Sequence, residues 1–284
     1  MPLDLGRPDD AVGRLISLAL EEDVGPGDRT ADAVVPAGAR GSALIFAKEA
    51  AVVSGVATAA RVFRALDAGC EVEAVKGEGD EAGPGDGLLR VRGSLRAILS
   101  GERTALNFLQ RLCGIATLTR RYARALQGTK TRLLDTRKTT PGMRALEKAA
   151  VRAGGGLNHR GSLFDGILVK DNHAAAAGGI GEAVRRARAA AHPLLQIEAE
   201  VSSAQQIEEA LQAGADMLLL DNLDDAALRK AVEQVAGRVP LEASGGMTLE
   251  RLPRVAAAGV DYVSVGALTH SAPSVDLSLM LEGV

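Results

Sequence analysis

Large aromatic side chains are almost absent from this chain of 284 residues: aromatics make up 2% of it, and there is no tryptophan. The hydrophobic content is nevertheless 46%, so the core must be built from Ala, Val, Leu and Ile, which fits α/β layers better than an aromatic-rich sandwich. No stretch approaches the ~18 apolar residues that a membrane span needs. Met1 is not followed by the basic and apolar runs of a signal peptide. We therefore expect neither a membrane segment nor a secretory signal.

Cysteine and excess charge are scarce as well. Cys70 and Cys113 are too few for a disulfide framework or a metal cluster, so we expect both to be reduced in a cytoplasmic protein. The net charge is -3, which gives no indication of nucleic acid as the main partner. Any basic residues that serve function must therefore be gathered locally.

The first third of the chain carries mixed signals of helix and strand. Residues 9–22 have apolar side chains at helical spacing, and Asp9 or Asp10 is placed to cap that helix. Turn residues at 25–28 end it. The remaining signals predict a strand at 43–46, a helix at 56–67 and a strand at 88–91. We expect an α+β domain with antiparallel hairpins.

A long helical stretch follows at 101–127, and Gly114 is the residue that we expect to divide it. We place the main domain boundary in this stretch. The prediction is an N-terminal α+β domain at 1–112, a catalytic α/β barrel at 113–270, and a C-terminal segment at 271–284 that packs back on the N-terminal domain.

After residue 130, short apolar runs alternate with Ala-rich helical stretches. This alternation is typical of a parallel sheet that curls into an α/β barrel. The predicted strands are 131–135, 166–170, 196–201, 216–221, 240–244 and 261–266. Because barrel enzymes place their active sites at the C-terminal ends of the strands, the residues at these ends are the candidate site.

Basic residues concentrate at or near these strand ends. Arginine offers a planar fork that matches a carboxylate with two hydrogen bonds, and lysine adds a point charge. So many cations around one cavity would repel each other without an anionic ligand, so they predict a substrate with several negative charges. The set consists of Arg103, Arg137, Lys138, His159, Arg160 and Lys170.

Acidic and small residues end the other strands. Glu200 and Asp221 end neighbouring strands, where carboxylates can hold Mg²⁺ directly or through water and can accept hydrogen bonds from sugar hydroxyls. Glycine lets backbone N–H groups approach a phosphate. The two segments of this kind are Ser244-Gly245-Gly246 and Val265-Gly266-Ala267. An anionic aromatic acid, a divalent metal with ribose hydroxyls and a terminal phosphate together describe a phosphoribosyl transfer.

Each signal taken alone also has a structural explanation. Arg137 and Lys138 could be solvated surface charges, Asp221 could cap a helix, and a lone histidine such as His159 is more often structural than catalytic. Glycine-rich turns are common in barrels. The joint occurrence of these residues in barrel order is what favours a functional site.

Several blocks of the chain resemble the quinolinate phosphoribosyltransferases, also called carboxylating nicotinate-nucleotide pyrophosphorylases. The most specific block is LLDTRKTTPGMRALEKAAVRAGGGLNHR at 133–160. The resemblance covers nearly the whole chain, and its departures at Cys113 and Ala174 lie outside the charged set. The other blocks are EEDVGPGDRT at 21–30, ERTALNFLQRLCGIAT at 102–117, LFDGILVKDNH at 163–173, DMLLLDN at 216–222, EASGGMT at 242–248 and DYVSVGALTHSAPSVDLSL at 261–279.

The resemblance implies a fold, a reaction and an assembly. The fold would be an atypical, open α/β barrel with an N-terminal α/β sandwich domain. The reaction would transfer phosphoribosyl from phosphoribosyl pyrophosphate to quinolinate with decarboxylation, giving nicotinate mononucleotide, CO₂ and pyrophosphate for NAD biosynthesis. Mg²⁺ would be the cofactor. The assembly would be a homodimer in which the N-terminal part of one subunit covers the barrel of the other.

The resemblance also implies roles for particular residues. Arg103 would reach quinolinate from the partner subunit. Glu200 and Asp221 would meet the ribose hydroxyls and Mg²⁺, while Ser244 to Gly246 and Val265 to Ala267 would hold the 5-phosphate. The substrate cavity would be lined by Thr136, Arg137, Lys138, His159, Arg160 and Lys170. Of these, we predict that Lys138, Lys170 and His159 are catalytic, with Lys138 or His159 supplying the proton after decarboxylation.

Three other functions compete with this one. A paralogue of the same fold is associated with molybdenum transport, but the RKTTPG block with Arg137 favours quinolinate. A nicotinate phosphoribosyltransferase would take a monocarboxylate and leave several cations unpaired. A non-catalytic sensor of phosphorylated ligands would need neither Glu200 nor Asp221.

Overall fold

The computed structural model describes residues 10–283 and divides the chain into two compact units. The first contains the chain up to Arg120, the segment Thr139–Gly155 and the chain from Leu268 onward. The second contains Arg121–Lys138 and Gly156–Ala267. The C-terminal segment thus falls in the same unit as the N-terminal part, where it was expected to pack, whereas Thr139–Gly155, which was placed in the barrel domain at 113–270, falls in the first unit as well. Among the described residues, no helix is both long enough and apolar enough to cross a membrane.

The first unit is built around an antiparallel sheet. The strands β1, β3, β5 and β12 form a four-stranded sheet in the order β12-β1-β5-β3, and β2 pairs with β4. The elements are α1 (Ala11–Asp23), α2 (Arg29–Val34), β1 (Arg40–Ala47), β2 (Ala51–Val52), α3 (Val56–Leu66), β3 (Glu71–Ala74), β4 (Glu81–Ala82), β5 (Gly87–Ser94), α4 (Leu95–Ala125), α5 (Arg144–Ala153), α11 (Ala267–His270, which begins at the last residue of the second unit) and β12 (Leu277–Glu282).

The α+β character and the antiparallel pairing are confirmed, and β3 pairs with β5 across the turn-rich connection at 75–86; β1, however, is not part of a hairpin. β1 pairs with β5 and with β12, which are far from it in sequence, because α3 and the short strands come between them. At the start of the chain, Asp10 Oδ1 accepts a hydrogen bond from Gly13 N at 2.5 Å and so caps α1. The alternative cap, Asp9, lies outside the described residues.

The prediction that Gly114 divides the long helix is wrong. α4 runs unbroken through it from Leu95 to Ala125. A Cβ at this position would lie 2.0 Å from the carbonyl oxygen of Pro273, so glycine is required by close packing against that segment. The glycine therefore serves a close approach within the first unit rather than a helix end.

The second unit contains a parallel sheet of six strands in the order β6-β11-β10-β9-β8-β7. This order follows the chain around a barrel, with β6 and β7 at the two edges, so the expected open α/β barrel is confirmed. The elements are β6 (Arg132–Leu134), β7 (Ile167–Val169), α6 (Asp171–Ala177), α7 (Ile180–Ala190), β8 (Ile197–Val201), α8 (Ala204–Gln212), β9 (Met217–Asp221), α9 (Asp225–Val235), β10 (Leu241–Ser244), α10 (Leu252–Ala257) and β11 (Tyr262–Ser264).

Parallel pairing places the carboxyl ends of these strands at one edge of the sheet. Ser244 on β10 is in register with Asp221 on β9, and Glu200 on β8 is in register with Leu219 on β9. Most side chains in the strand interiors are apolar and buried; Ile197, Ala199, Leu218, Leu220 and Val263 are at most 1% exposed. Burial of these side chains fixes the register, and the register brings the polar ends together.

Candidate active site

Lys170 and Glu200 form an ion pair at the carboxyl ends of β7 and β8. Lys170 Nζ lies 2.6 Å from Glu200 Oε2. The backbone N–H of Lys170 donates to His173 Nδ1 at 3.0 Å, so the first turn of α6 holds the lysine where its strand ends. A residue expected to meet quinolinate and one expected to meet ribose or Mg²⁺ are thus direct neighbours.

Glu200 and Asp221 line one cavity of about 620 Å³ in the second unit. The Glu200 side chain is 13% exposed, and Asp221 Oδ2 accepts a hydrogen bond from Asn222 Nδ2 at 2.6 Å. Carboxylate oxygens at neighbouring strand ends are hard donors of the kind that Mg²⁺ takes, and a cavity of this size also admits a ribose phosphate. The donor set therefore fits the metal that the family resemblance implies.

The Ser244-Gly245-Gly246 segment forms a tight glycine turn after β10. Gly245 has φ +88°, and a Cβ on it would lie 2.1 Å from Asn222 Oδ1, so no larger residue fits without displacing the loop that carries Asp221. Ser244 O accepts from Asn222 N at 3.0 Å. The expected phosphate turn and the expected ribose carboxylate are therefore built against each other.

Arg251 ties these two loops together from outside the predicted set. Its Nη1 donates to Gly245 O at 3.1 Å and its Nη2 donates to Leu223 O. Its Nε donates to Asp225 Oδ1 at 3.0 Å, and the side chain is 17% exposed. One guanidinium thus fixes the turns after β9 and β10.

The Val265-Gly266-Ala267 segment follows β11. Val265 is buried, and its N–H donates to Leu134 O at 3.0 Å, which continues the pairing of β11 with β6. Gly266 and Ala267 are partly exposed, and Ala267 begins α11. The segment lies where the prediction puts it, after a barrel strand, and its binding of phosphate stays a prediction.

Arg137, which follows β6, and Arg160 influence each other electrostatically. Burial lowers the pKa of Arg160 below its ordinary value, and the charge of Arg137 lowers it further. Arg160 Nη1 donates to Gly166 O at 2.9 Å. Thr136 Oγ1 accepts from the backbone of Lys138 at 3.0 Å, which shapes the turn, while the Lys138 side chain is exposed. Two neighbouring guanidinium groups favour an anion between or beside them.

His159 points into the barrel rather than toward the surface. Its Nε2 lies 2.9 Å from Glu198 Oε2 and 3.6 Å from Glu242 Oε2. Its backbone N–H donates to Asp135 Oδ1 at 2.8 Å. His159 and Arg160 line a second cavity of about 620 Å³, whose walls include Gln196, Asp216 and Pro240, which precede β8, β9 and β10. The structure thus places these two residues in a different cavity from Glu200 and Asp221.

Arg103 lies in the first unit, on α4, with an exposed side chain. It is therefore presented to the surroundings of that unit rather than packed inside it. The expectation that it reaches the site of a partner subunit stays a prediction.

The threonines of the RKTTPG block have structural partners in the first unit. Thr140 donates through its N–H and its hydroxyl to the fully buried Glu147, at 3.1 and 2.8 Å. Arg111 Nη2 lies 3.0 Å from the same carboxylate, and Arg144 Nε donates to Thr139 Oγ1 at 2.9 Å. Thr139 and Thr140 thus shape the loop, while Arg137 and Lys138 supply its cations.

Sequence reasoning missed four residues that organise the site: Asp135, Glu198, Glu242 and Arg251. A signal existed for two of them, since Glu198 and Glu242 are acidic residues inside otherwise apolar strands, and Glu198 is two positions from Glu200 on the same face of β8. For Arg251 there was no signal, because its role depends on two loops that only the fold brings within reach.

Comparison with known proteins decides the family. The model of the quinolinate phosphoribosyl transferase C-terminal domain matches residues 115–280, and that of the N-terminal domain matches residues 28–113. The chain belongs to the quinolinate phosphoribosyltransferase family. This confirms the resemblance seen in the sequence.

Members of the quinolinate phosphoribosyltransferase family from several bacteria align over almost their whole length. A probable nicotinate-nucleotide pyrophosphorylase [carboxylating] of Bacillus subtilis is 43% identical over 94% of this chain and 92% of its own. The nicotinate-nucleotide pyrophosphorylase [carboxylating] of Mycobacterium leprae is 43% identical over 96% and 98%. The crystal structure of NadC from Streptococcus pyogenes superposes with a TM-score of 0.92 and 41% identity, covering 97% of this chain and 98% of that one.

Proposed function

We propose that the protein transfers phosphoribosyl from phosphoribosyl pyrophosphate to quinolinate and decarboxylates the product, giving nicotinate mononucleotide, CO₂ and pyrophosphate. The observation that carries this proposal is that the barrel unit contains both arginines suited to a dicarboxylate and carboxylates suited to ribose and a metal. Arg137 and Arg160 supply two guanidinium groups whose charges interact, while Glu200 and Asp221 line a cavity, and Asp221 is in register with Ser244 at the start of the glycine turn. The relatives with carboxylating names support the same reaction.

Quinolinate carries two carboxylates on adjacent ring carbons, which suits a pair of arginines. Arg137 and Arg160 would clamp them with bidentate hydrogen bonds, helped by Lys138, Lys170 and Thr136. Because Arg160 lines the other cavity and donates to Gly166 O, which precedes β7, this clamp requires its guanidinium to turn toward the strand ends when quinolinate binds. The mutual repulsion of the two guanidinium groups falls when a dianion binds, so part of the binding free energy comes from relieving it. A monocarboxylate such as nicotinate would relieve it less, which argues against nicotinate as the substrate.

Glu200 and Asp221 would hold Mg²⁺, directly or through water, and would accept hydrogen bonds from the ribose hydroxyls. When bound, the metal supplies positive charge that stabilises the departing pyrophosphate. The backbone N–H groups of Ser244 to Gly246 and of Val265 to Ala267 would hold the 5-phosphate. Ion pairing of Lys170 with Glu200 keeps the carboxylate in place at the strand end.

The chemistry proceeds in two stages. The pyridine nitrogen of quinolinate attacks the ribose carbon as the bond to pyrophosphate breaks, and the site contributes mainly by holding the two reactants in line. The resulting pyridinium then accepts the electron pair left when the 2-carboxylate departs as CO₂. A proton must be added to that ring carbon, and the Lys138 ammonium is our proposed source.

The direct test is to incubate the purified protein with quinolinate, phosphoribosyl pyrophosphate and Mg²⁺ and to follow nicotinate mononucleotide by chromatography, with a parallel reaction on nicotinate. Product from quinolinate alone is expected. Product from nicotinate would retain the phosphoribosyl transfer but contradict the role given to the two arginines. Absence of product from both would favour the molybdenum-associated paralogue or a binding protein.

A matched pair of variants links the reaction to the cavity. Glu200→Gln removes one carboxylate charge from the strand end, and we expect kcat/KM to fall by roughly 10²-fold or more. Glu208→Gln changes a surface glutamate that pairs with Arg238 at 3.0 Å, and we expect no change in activity.

We also propose a homodimer in which Arg103 completes the site of the partner subunit. The exposure of Arg103 on α4 is consistent with this role. Mixing inactive Arg103→Ala and Arg137→Ala proteins tests it, because random pairing into two-fold dimers would restore about a quarter of the intact sites. No recovery of activity after subunit exchange would contradict it. The cytoplasmic location stays a prediction from the sequence.

A further inference from the structure

Two buried glutamates in the barrel interior have no part in the reaction as described above. Glu198 on β8 is 7% exposed and Glu242 on β10 is fully buried. Within the described part of the chain, Glu198 Oε1 and both carboxylate oxygens of Glu242 have no hydrogen-bond partner at normal distance and angle, although the Ser264 hydroxyl is near enough to Glu242 to lower its pKa. Two buried carboxylates this close together cannot both stay charged without compensation, so something must neutralise them.

A divalent cation is one candidate, because one ligand atom from each of His159, Glu198 and Glu242 lies within 4.8 Å of the others. The histidine ring argues against it. The backbone N–H of Arg160 donates to His159 Nδ1 at 2.8 Å, so that nitrogen carries a lone pair and no proton. The proton of a neutral ring is then on Nε2, the nitrogen that faces the carboxylates, and an Nε2–H cannot bind a metal.

The same geometry makes the hydrogen bond between the histidine and Glu198 directional. His159 Nε2–H donates to Glu198 Oε2 at 2.9 Å, which leaves Glu242 to be neutralised in another way. Burial raises the pKa of Glu242 to about 8, and the neighbouring Glu198 carboxylate adds to the rise. The raised pKa favours the neutral form of Glu242 at neutral pH, and the carboxyl group that the imidazole Nε2 contacts is that of Glu198.

We propose that Glu198 is a positioning residue that holds His159 in its Nε2–H tautomer, so that Nδ1 accepts the backbone N–H of Arg160 and thereby sets Arg160 for the substrate carboxylate. The inference deepens the proposed function and rests on it for the role of Arg160. It leaves His159 with both ring nitrogens engaged by the protein, so the proton that follows decarboxylation comes from Lys138.

The position of Arg160 therefore depends on which nitrogen of the His159 ring carries the proton. If Nδ1 became protonated, two N–H donors would face each other at 2.8 Å, and the turn from His159 to Arg160 would have to move. Asp135 limits that movement, because it also accepts the backbone N–H of His159 at 2.8 Å and Asn158 Nδ2 at 2.6 Å. The side chain of Arg160 would then be displaced from its place beside Arg137.

Two isosteric carboxyl-to-amide changes separate this proposal from a merely structural role. Glu242→Gln replaces a neutral carboxyl with a neutral amide, so we expect the KM for quinolinate and kcat at pH 7 to stay within about twofold of wild type. Glu198→Gln removes the charge that fixes the Nε2 proton and offers an amide that can also donate. We expect its KM for quinolinate to rise roughly tenfold, with the KM for phosphoribosyl pyrophosphate unchanged.

A readout independent of activity is the ¹⁵N spectrum of the imidazole rings, which the chain's four histidines make tractable. We expect His159, assigned by comparison with His159→Gln, to show the Nε2–H tautomer in wild type and Glu242→Gln, and a mixture of tautomers in Glu198→Gln. An imidazolium or an Nδ1–H tautomer in wild type would overturn the proposal, as would loss of the His159 Nε2–H signal on adding Zn²⁺, a diamagnetic ion. Equal kinetic effects of the two substitutions would overturn it too. If wild type shows the Nε2–H tautomer but no turnover of quinolinate, the proposed function fails while this geometry stands.

Discussion

Lys170 Nζ lies 2.6 Å from Glu200 Oε2, so a cation expected to bind quinolinate and a carboxylate expected to bind ribose or Mg²⁺ are paired with each other. The pair joins the ends of β7 and β8. Lys170 is expected to bind quinolinate and Glu200 to bind the metal or the ribose. Removing the lysine should therefore weaken the use of quinolinate and strengthen the binding of the metal.

The first prediction concerns Lys170→Met. Loss of the ammonium leaves Glu200 with more negative potential, so Mn²⁺ should bind several-fold more tightly, while kcat/KM for quinolinate falls by roughly 10²-fold or more. Electron paramagnetic resonance of Mn²⁺ measures the first effect and steady-state kinetics the second. The control is Lys130→Met, which breaks an exposed pair with Asp261 at 2.9 Å and should change neither. Unaltered Mn²⁺ affinity in Lys170→Met would count against this view of the pair.

The second prediction concerns the glycine turn after β10. Gly245→Ala would place a methyl group 2.1 Å from Asn222 Oδ1, so we expect the loop that carries Asp221 to move and kcat/KM for phosphoribosyl pyrophosphate to fall at least ~10-fold. Gly214→Ala is a matched control, because Gly214 has φ +90° but no atom within 4 Å of the added Cβ. Both variants should lose about 1 kcal/mol or more of stability from backbone strain. Equal kinetics in the two would show that the turn tolerates the methyl group.

The third prediction separates two arginines that bind the same carboxylate. Arg251 donates to Asp225 and also to Gly245 O, while Arg254 Nε donates to Asp225 Oδ2 at 2.8 Å from a side chain that is 63% exposed. We expect Arg251→Ala to raise the KM for phosphoribosyl pyrophosphate by roughly tenfold, because two loops lose their shared anchor. Arg254→Ala should have no measurable effect on kinetics. Steady-state titrations with each substrate measure the difference, and parallel behaviour of the two variants would refute the anchoring role.

The fourth prediction concerns the pH dependence of stability. The unfolded chain releases the proton of Glu242 near the ordinary value of 4.5, whereas burial keeps the folded pKa at about 8. Between these values the folded state binds more protons, so this group makes the free energy of unfolding fall as pH rises. Glu242→Gln has no titratable group at this position, so its free energy of unfolding relative to wild type should increase across this pH range and level off above pH 8.

Urea denaturation at a series of pH values measures that difference. The control is Glu208→Gln, since Arg238 lowers the pKa of Glu208 and its contribution is lost as pH falls rather than as pH rises. A relative stability of Glu242→Gln that does not change between pH 5 and pH 8 would mean that Glu242 is charged throughout this range.

Most of the barrel was predictable, because each strand is a short apolar run whose length and position are local properties. All six strands of the second unit fall within the predicted runs. The Ala-rich stretches 180–191, 203–213 and 225–236 predict α7, α8 and α9 to within a residue, whereas α10 begins four residues after the start of its stretch at 248–258. The resemblance of the 133–160 block identified the family. The sequence failed where a partner is distant: β1 pairs with β12 rather than in a hairpin, and Gly114 meets Pro273 rather than ending a helix.

The sequence by itself determined the family, the alternation of strand and helix, and the positions of charged residues at the strand ends, since these depend on local pattern. Only the tertiary structure decided which of those charges meet. It paired Lys170 with Glu200, turned His159 inward onto Glu198 and Glu242, and placed Arg251 between two loops. The physical reason is that hydrogen bonds and pKa values depend on distances of a few ångströms and on burial. Packing sets these distances and this burial only when the strands of the sheet have paired in their final register.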